Sequence, residues 1–221
     1  SITGLEAAER FEDIETSMLR CADPAAEKVM LKEIDEARKA GETIGGVVEI
    51  IVTGIPPGLG SHVHWDRRLD GRLAGALTSI QSAKGVEIGA GFAGSLRRGS
   101  EVHDPITIDK RGAIGRSSNQ AGGLEGGITN GQPLIIRTAF KPIPTLARAL
   151  PSVDWITGEE VTGAVERSDV CAVPAAAVVA EAVVAWELAV AFREKFSGDF
   201  VDEVEAALTY YRKSIGRRLK K

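Results

Sequence analysis

Cysteine is nearly absent from this 221-residue chain: Cys21 and Cys171 stand alone, which excludes a disulfide framework and fits a reduced, cytoplasmic setting. Three histidines, His62, His64 and His103, give no metal-ligand spacing with them. Aromatic residues make up only 5%, and no dense Lys/Arg run precedes the last few residues, which argues against a nucleic-acid surface built on stacking. No apolar run reads as long enough to cross a bilayer, and the first residues read as a strand end, not a signal peptide. No G-x-G-x-x-G opens a helix after a strand and no P-loop occurs, so an unrelated nucleotide-binding domain is a poor reading. The chain starts at Ser1 without methionine, as a piece of something longer would.

What is present is a globular composition, 43% apolar with a net charge of −4. That charge is unevenly spread. Residues 55–150 hold 12 Lys/Arg against 7 Asp/Glu, together with 16 of the 25 glycines. A basic, glycine-rich centre between acidic flanks fits a small anionic ligand held by backbone and arginine.

Read in order, Asp23-Pro24 opens a helix over 24–40 that Gly41 stops. Residues 43–53 read as a strand, with Gly45-Gly46 marking a bulge or a close backbone approach. Asp66 is expected to cap a helix over 67–83, with Leu69, Leu73, Leu77 and Ile80 on one face. A strand follows from Lys84-Gly85. The small polar residues Gln81 and Ser82 at that junction suit either a ligand contact or an ordinary turn. A hairpin is expected to turn at residues 110–112. The segment 116–133, RSSNQAGGLEGGITNGQP, cannot pack a core; it reads as a flexible loop or as backbone amides gathered against an anion or flat ring. It feeds a strand, 134–140, in which Ile135, Arg137 and Ala139 alternate with Leu134, Ile136 and Thr138. Lys141-Pro142-Ile143-Pro144-Thr145 then makes a stiff turn, with Lys141 either at a site or a solvated charge. Residues 155–165 read as a hairpin turning at Gly158. Ser168 or Asp169 is expected to cap an alanine-rich helix running to about Lys195, with Pro174 in its first turns. Arg167 and Asp169 would then stand at a helix N-terminus, as an anion site or as a cap with its salt bridge. Asp199 is placed to cap a last amphipathic helix to about Ile215. The order of elements predicts an α+β fold: a mainly antiparallel sheet packed on long helices.

Four stretches, GLGSHVHWDRRLDGRLAGALTSIQSAKGVEIG, RSSNQAGGLEGGITNGQP, RTAFKPIPTL and RSDVCAVPAAAVVAEAV, occur in an order that resembles chorismate synthase. The resemblance is to the C-terminal half or so of that enzyme. It implies about half of a β-α-β sandwich, with residues 1–221 as one domain and a homotetrameric assembly. It implies the 1,4-elimination of phosphate from 5-enolpyruvylshikimate 3-phosphate, with reduced FMN as cofactor and NADP as an associated nucleotide. It implies no nucleic-acid or membrane partner. Flavin contacts would fall on Gln81, Ser82, Gly126, Lys141, Pro142, Ile143, Pro144, Thr145 and Arg167. Arg167 and Asp169 would face the substrate, with Asp169 in an acid/base or flavin-tuning role, and Arg116 and Asn119 are secondary candidates for the site wall. The family's N-terminal arginines and both its catalytic histidines are missing, and the three histidines present do not replace them. A catalytically silent piece that oligomerises and at most binds flavin or phosphate is the alternative.

Overall fold

A computed structural model describes residues 10–108 and 114–218, with no side-chain description beyond 215. The expected strand at residues 1–5 and the turn at 110–112 lie outside the described residues. The elements are α1 (Phe11–Thr16), α2 (Pro24–Ala40), β1 (Gly46–Val52), a 3-10 turn (Trp65–Arg67), α3 (Leu69–Thr78), β2 (Ala83–Ile88), the short α4 (Gly91–Ser95) and α5 (Gly99–Val102), β3 (Ile106–Ile108), β4 (Ile114–Arg116), β5 (Leu124–Glu125), β6 (Ile128–Thr129), β7 (Leu134–Phe140), β8 (Pro151–Val153), β9 (Glu160–Thr162), α6 (Val173–Lys195) and α7 (Val201–Arg218).

β7 is the middle strand of an antiparallel sheet ordered β1-β7-β2. Period-two alternation sorts its residues. Leu134, Ile136, Thr138 and Phe140 are buried on one face with Val48 and Ile50 of β1. On the other face Arg137 lies opposite Glu49 and Glu87, and it pairs with Glu87 at 3.2 Å. A two-layer arrangement follows, because an apolar sheet face has to be covered. α3 covers it with Leu69, Leu73 and Leu77, all wholly buried, and α6 adds Ala180, Val184 and Ala191. Arg72 ties the two helices by reaching Glu187 and Glu194, each at 3.0 Å. α7 closes the far end of α6 through Tyr211, edge-on to Phe196 and bonded by its hydroxyl to the Pro57 carbonyl at 3.0 Å.

Several expectations hold, and some are corrected. Asp23 caps α2 through the Ala25 and Ala26 amides, and Gly41 ends it at φ +70°. Asp66 does not cap the next helix. It sits inside the 3-10 turn, Arg68 holds the N-cap position without a side-chain bond, and α3 ends five residues early at Thr78. The reason is a tertiary contact: the Leu69 amide is taken by the Gly127 carbonyl at 2.9 Å, which fixes where the helix starts. At α7 the Glu203 carboxylate, not Asp199, reaches back to the Asp199 and Phe200 amides. The reading that no apolar run has bilayer length is also corrected: α6 is long and apolar enough by length and composition to cross a membrane, with a mean hydropathy of 1.9. Its glutamates, Glu181, Glu187 and Glu194, interrupt the helix without lowering its hydropathy enough. Its inner face packs on the sheet, while Ala175, Val178, Val179, Ala182, Ala185 and Trp186 form an exposed outer stripe.

Candidate functional site

β7 delivers its C-terminal end to a corner where three distant segments meet. The Lys141 amide donates to the Ser82 carbonyl at 2.9 Å, which joins the Gln81-Ser82 junction to the Lys-Pro turn. Ser82 holds this position at φ +69°, a backbone region costly for a residue with a Cβ and concentrated at functional positions. The Ser168 hydroxyl donates to the Thr145 carbonyl at 2.7 Å, and the Ile44 amide to the Val170 carbonyl at 2.9 Å. The Thr43 hydroxyl donates to the Ile143 carbonyl at 2.6 Å. Residues 141–145 are thus clamped between residues 43–44 and 168–170.

Gly45 makes the corner possible. A Cβ there would lie 2.2 Å from the Phe140 carbonyl oxygen and 3.0 Å from the Pro142 nitrogen, so only glycine fits. This is the close approach expected of Gly45-Gly46. Around the corner Lys141, Arg167 and Asp169 are exposed, and among the described residues none of the three has an ion-pair partner. The segments that meet here thus carry two cations and one carboxylate, along with Ser82, Thr145 and the Pro142-Ile143-Pro144 stretch. That donor set suits an anion with a flat apolar body.

The structure corrects the placement of Arg167 and Asp169 at a helix N-terminus. α6 starts at Val173, Ala172 is its N-cap with no side-chain bond, and Pro174 removes one donor that would otherwise be orphaned. Neither Ser168 nor Asp169 caps it, because residues 168–170 are bonded to Thr145 and Ile44 and lie outside the helix. Arg167 and Asp169 lie outside the helix's first turn, where its dipole falls off.

Gly126 does not join this corner. It sits at φ +61° in the β5–β6 turn, and the next residue, Gly127, packs on Arg68 and Ser61 at the N-terminus of α3. That is the opposite end of a helix ~15 Å long by its rise per residue. Space around Gly126 is open. Arg116 and Asn119 do not reach the corner either. Arg116 pairs with Glu125 at 2.5 Å and donates to the Asp104 carbonyl at 2.8 Å. Asn119 donates to the Pro133 carbonyl at 2.8 Å and accepts the Gly123 amide at 2.9 Å. Both brace the glycine-rich segment, which is an ordered scaffold and not a loose loop.

The anchor of that scaffold escaped the sequence reading. Asp104 is buried and accepts the Ser118 hydroxyl at 2.5 Å and the Gln120 and Ala121 amides at 2.7 and 2.9 Å. Burial alone would push its carboxyl up. The Ser118 hydroxyl, the two amides and the Arg116 charge outweigh it and hold the group below the usual carboxylate range. An unfolded aspartate titrates near ~3.9, above the folded value, so the ionised group stabilises the fold above that pH. The contribution is lost as pH falls through the folded value. Asp104→Asn should cost about 1–3 kcal/mol at neutral pH, as expected when buried donors lose their acceptor. Thermal unfolding of the variant should also lose part of its pH dependence below pH 4; an unchanged melting profile there would contradict this.

Comparison with known proteins places these features in a family. A family model described as chorismate synthase matches residues 2–192. Proteins named chorismate synthase from Desulforamulus reducens and Symbiobacterium thermophilum are each 57% identical, over 91% and 92% of this chain and 52% of their own length. One from Trichlorobacter lovleyi is 60% identical over 85% of this chain and 50% of its own. A solved structure titled "Crystal Structure of Chorismate Synthase" superposes with a TM-score of 0.81 at 42% identity, covering 98% of this chain and 57% of that one. The chain spans about half the length of the curated relatives it matches.

Proposed function

The chain belongs to the chorismate synthase family, and from that premise we propose that it forms the C-terminal portion of an enzyme that eliminates phosphate from 5-enolpyruvylshikimate 3-phosphate. The observation that carries this reading is the convergence of Gln81-Ser82, residues 141–145 and residues 167–169 at one corner. Reduced FMN fits that corner by the chemistry of the groups there: Lys141 and Arg167 for anionic oxygens, Ser82 and Thr145 for hydrogen bonds, and the proline ridge for a ring face. When bound, reduced flavin supplies an electron-rich ring beside a reaction with no net redox change. Gln81, exposed beside Ser82, belongs to the same junction. Gly126, with open space around it, would meet a ligand only from the opposite end of α3.

In the reaction a C–O bond to phosphate breaks and a ring hydrogen is lost. Arg167 and Lys141 hold anionic oxygens, and preorganised cations are worth most where negative charge develops on the departing phosphate. Asp169, exposed and without an ion-pair partner among the described residues, takes the role of accepting or holding a proton in this reading. Homotetrameric assembly, a cytoplasmic location and an NADP link to flavin reduction accompany the reading as family properties.

The test is chorismate formation under anaerobic conditions with reduced FMN. The full-length protein should turn over. Residues 1–221 alone should fall below it by at least ~10²-fold, the loss typical of one missing general acid. Robust turnover by residues 1–221 alone would show that the missing histidines and arginines are dispensable and that the roles assigned here are wrong. The half-length coverage favours a second reading for this chain by itself, a catalytically silent piece that at most binds flavin or phosphate.

A further inference from the structure

The ladder between β1 and β7 ends with Gly46 opposite Phe140. Continued in the same register, it brings Thr43 opposite Ile143. Backbone bonds cannot follow it there. Pro142 and Pro144 have no N–H, so the turn lacks two of the donors a ladder uses. A side chain spans the gap instead: the Thr43 hydroxyl donates to the Ile143 carbonyl at 2.6 Å. Thr43 is buried, whereas Ser168, the hydroxyl that holds Thr145, is exposed. The Thr43 bond is therefore the one shielded from competing water.

That bond reaches beyond its own two atoms. A proline fixes its own φ and restricts the residue before it to extended backbone. In Lys141-Pro142-Ile143-Pro144-Thr145 both rules apply twice, which leaves few torsions free. The Ile143–Pro144 peptide has no N–H, and its carbonyl is the group Thr43 takes. One hydrogen bond thus orients this peptide plane, and through stiff backbone it orients Lys141 on one side and Thr145 on the other.

The next residue holds the second arm of the corner. The Ile44 amide donates to the Val170 carbonyl at 2.9 Å, which ties down the segment that carries Arg167 and Asp169. Thr43 itself stands on fixed backbone. Gly41 ends α2 at φ +70°, the Glu42 amide returns to the Ala37 carbonyl at 2.9 Å, and the Glu42 carboxylate pairs with Arg148 at 3.1 Å. Neighbouring residues on one anchored stretch therefore hold the two cation-bearing segments, the turn by a side chain and residues 167–170 by an amide.

We infer that Thr43 is a positioning residue for the site at this corner, its hydroxyl setting where Lys141 stands relative to the segment carrying Arg167; this rests on the corner being the flavin site proposed above. Thr43 touches neither cofactor nor substrate in this role and acts through Lys141. The donor is what the role requires, not the shape of threonine.

Two variants of the full-length protein separate donor from shape. Thr43→Val keeps the shape and removes the donor; Thr43→Ser keeps the donor and removes the methyl. Anaerobic titration with reduced FMN should show affinity at least about tenfold weaker in Thr43→Val and within about threefold of wild type in Thr43→Ser, because a misplaced contact costs on this scale. Coupling gives a readout that a merely structural role would not move. In a Lys141→Ala background, adding Thr43→Val should cost less than about threefold, since the residue it works through is already gone. Lys141→Ala by itself tells the two possible failures apart. If it loses FMN affinity while Thr43→Val binds like wild type, the corner is the site and Thr43 does not position it. If Lys141→Ala binds like wild type, the corner is not the flavin site, and the role of Thr43 falls with it. Equal losses in Thr43→Ser and Thr43→Val, additive losses in the double variant, or a Thr43→Val protein that does not fold would each assign Thr43 to packing alone and overturn the inference.

Discussion

Gly45→Ala should lower the melting temperature by roughly 6–12 °C, which corresponds to about 3 kcal/mol for a chain of this size. The added methyl would sit 2.2 Å from the Phe140 carbonyl oxygen and 2.9 Å from the Lys141 carbonyl carbon. Neither neighbour is a flexible side-chain tip. Both are backbone, held by the β1–β7 ladder on one side and the Ser82–Lys141 bond on the other. Relief therefore has to come from moving β1 or the turn at 141–145. Either movement displaces Lys141, so flavin affinity should fall with stability in the full-length protein. Differential scanning calorimetry and flavin titration read the two effects separately. A variant that melts and binds like wild type would show that the corner yields easily and that glycine is not required there.

In the full-length protein, Arg167→Ala should weaken flavin or substrate binding at least about tenfold, the loss of one charge-assisted contact. The fold should be untouched, because Arg167 is exposed and makes no ion pair among the described residues. Asp169→Asn keeps size and shape and removes the titratable group. Asp169 caps nothing in this structure, so a stability effect is not expected. If it handles a proton or tunes the flavin, turnover should fall at least tenfold with saturating reduced FMN and an unchanged melting temperature. Wild-type turnover in Asp169→Asn would return this residue to a solvated surface charge.

Local chemistry made the elements legible. Asp23-Pro24 and Gly41 bracket α2 because capping and left-handed backbone are properties of those residues themselves. The alternation in β7 is visible because one face is buried and the other is not. Boundaries set from afar were not legible: α3 starts where Gly127 meets the Leu69 amide, and residues 168–170 stay outside α6, bonded to Thr145 and Ile44. The candidate site divides the same way. Motif resemblance selected Ser82, Lys141 and Arg167, which the fold gathers. It also selected Gly126, which the fold keeps at the far end of α3. Asp104 carried no signal, since one aspartate before a proline looks like any turn, and only the structure brings Ser118, Gln120 and Ala121 to it.

The position of β7 has a consequence for how the chain reaches its fold. It is the middle strand, yet it follows both of its neighbours in sequence. β1 and β2 do not bond each other; each waits for β7. On a ribosome adding ~5–20 residues per second, the stretch from Ile88 to Leu134 takes roughly two to nine seconds. During that interval two Val/Ile-bearing segments, one of them GVVEIIV, stand complete with every ladder group unpaired. Closing so long a loop is entropically unfavourable, so pairing stays slow after β7 emerges. Recovery of folded protein should therefore depend on translation speed and holdase chaperones more steeply than its final stability suggests.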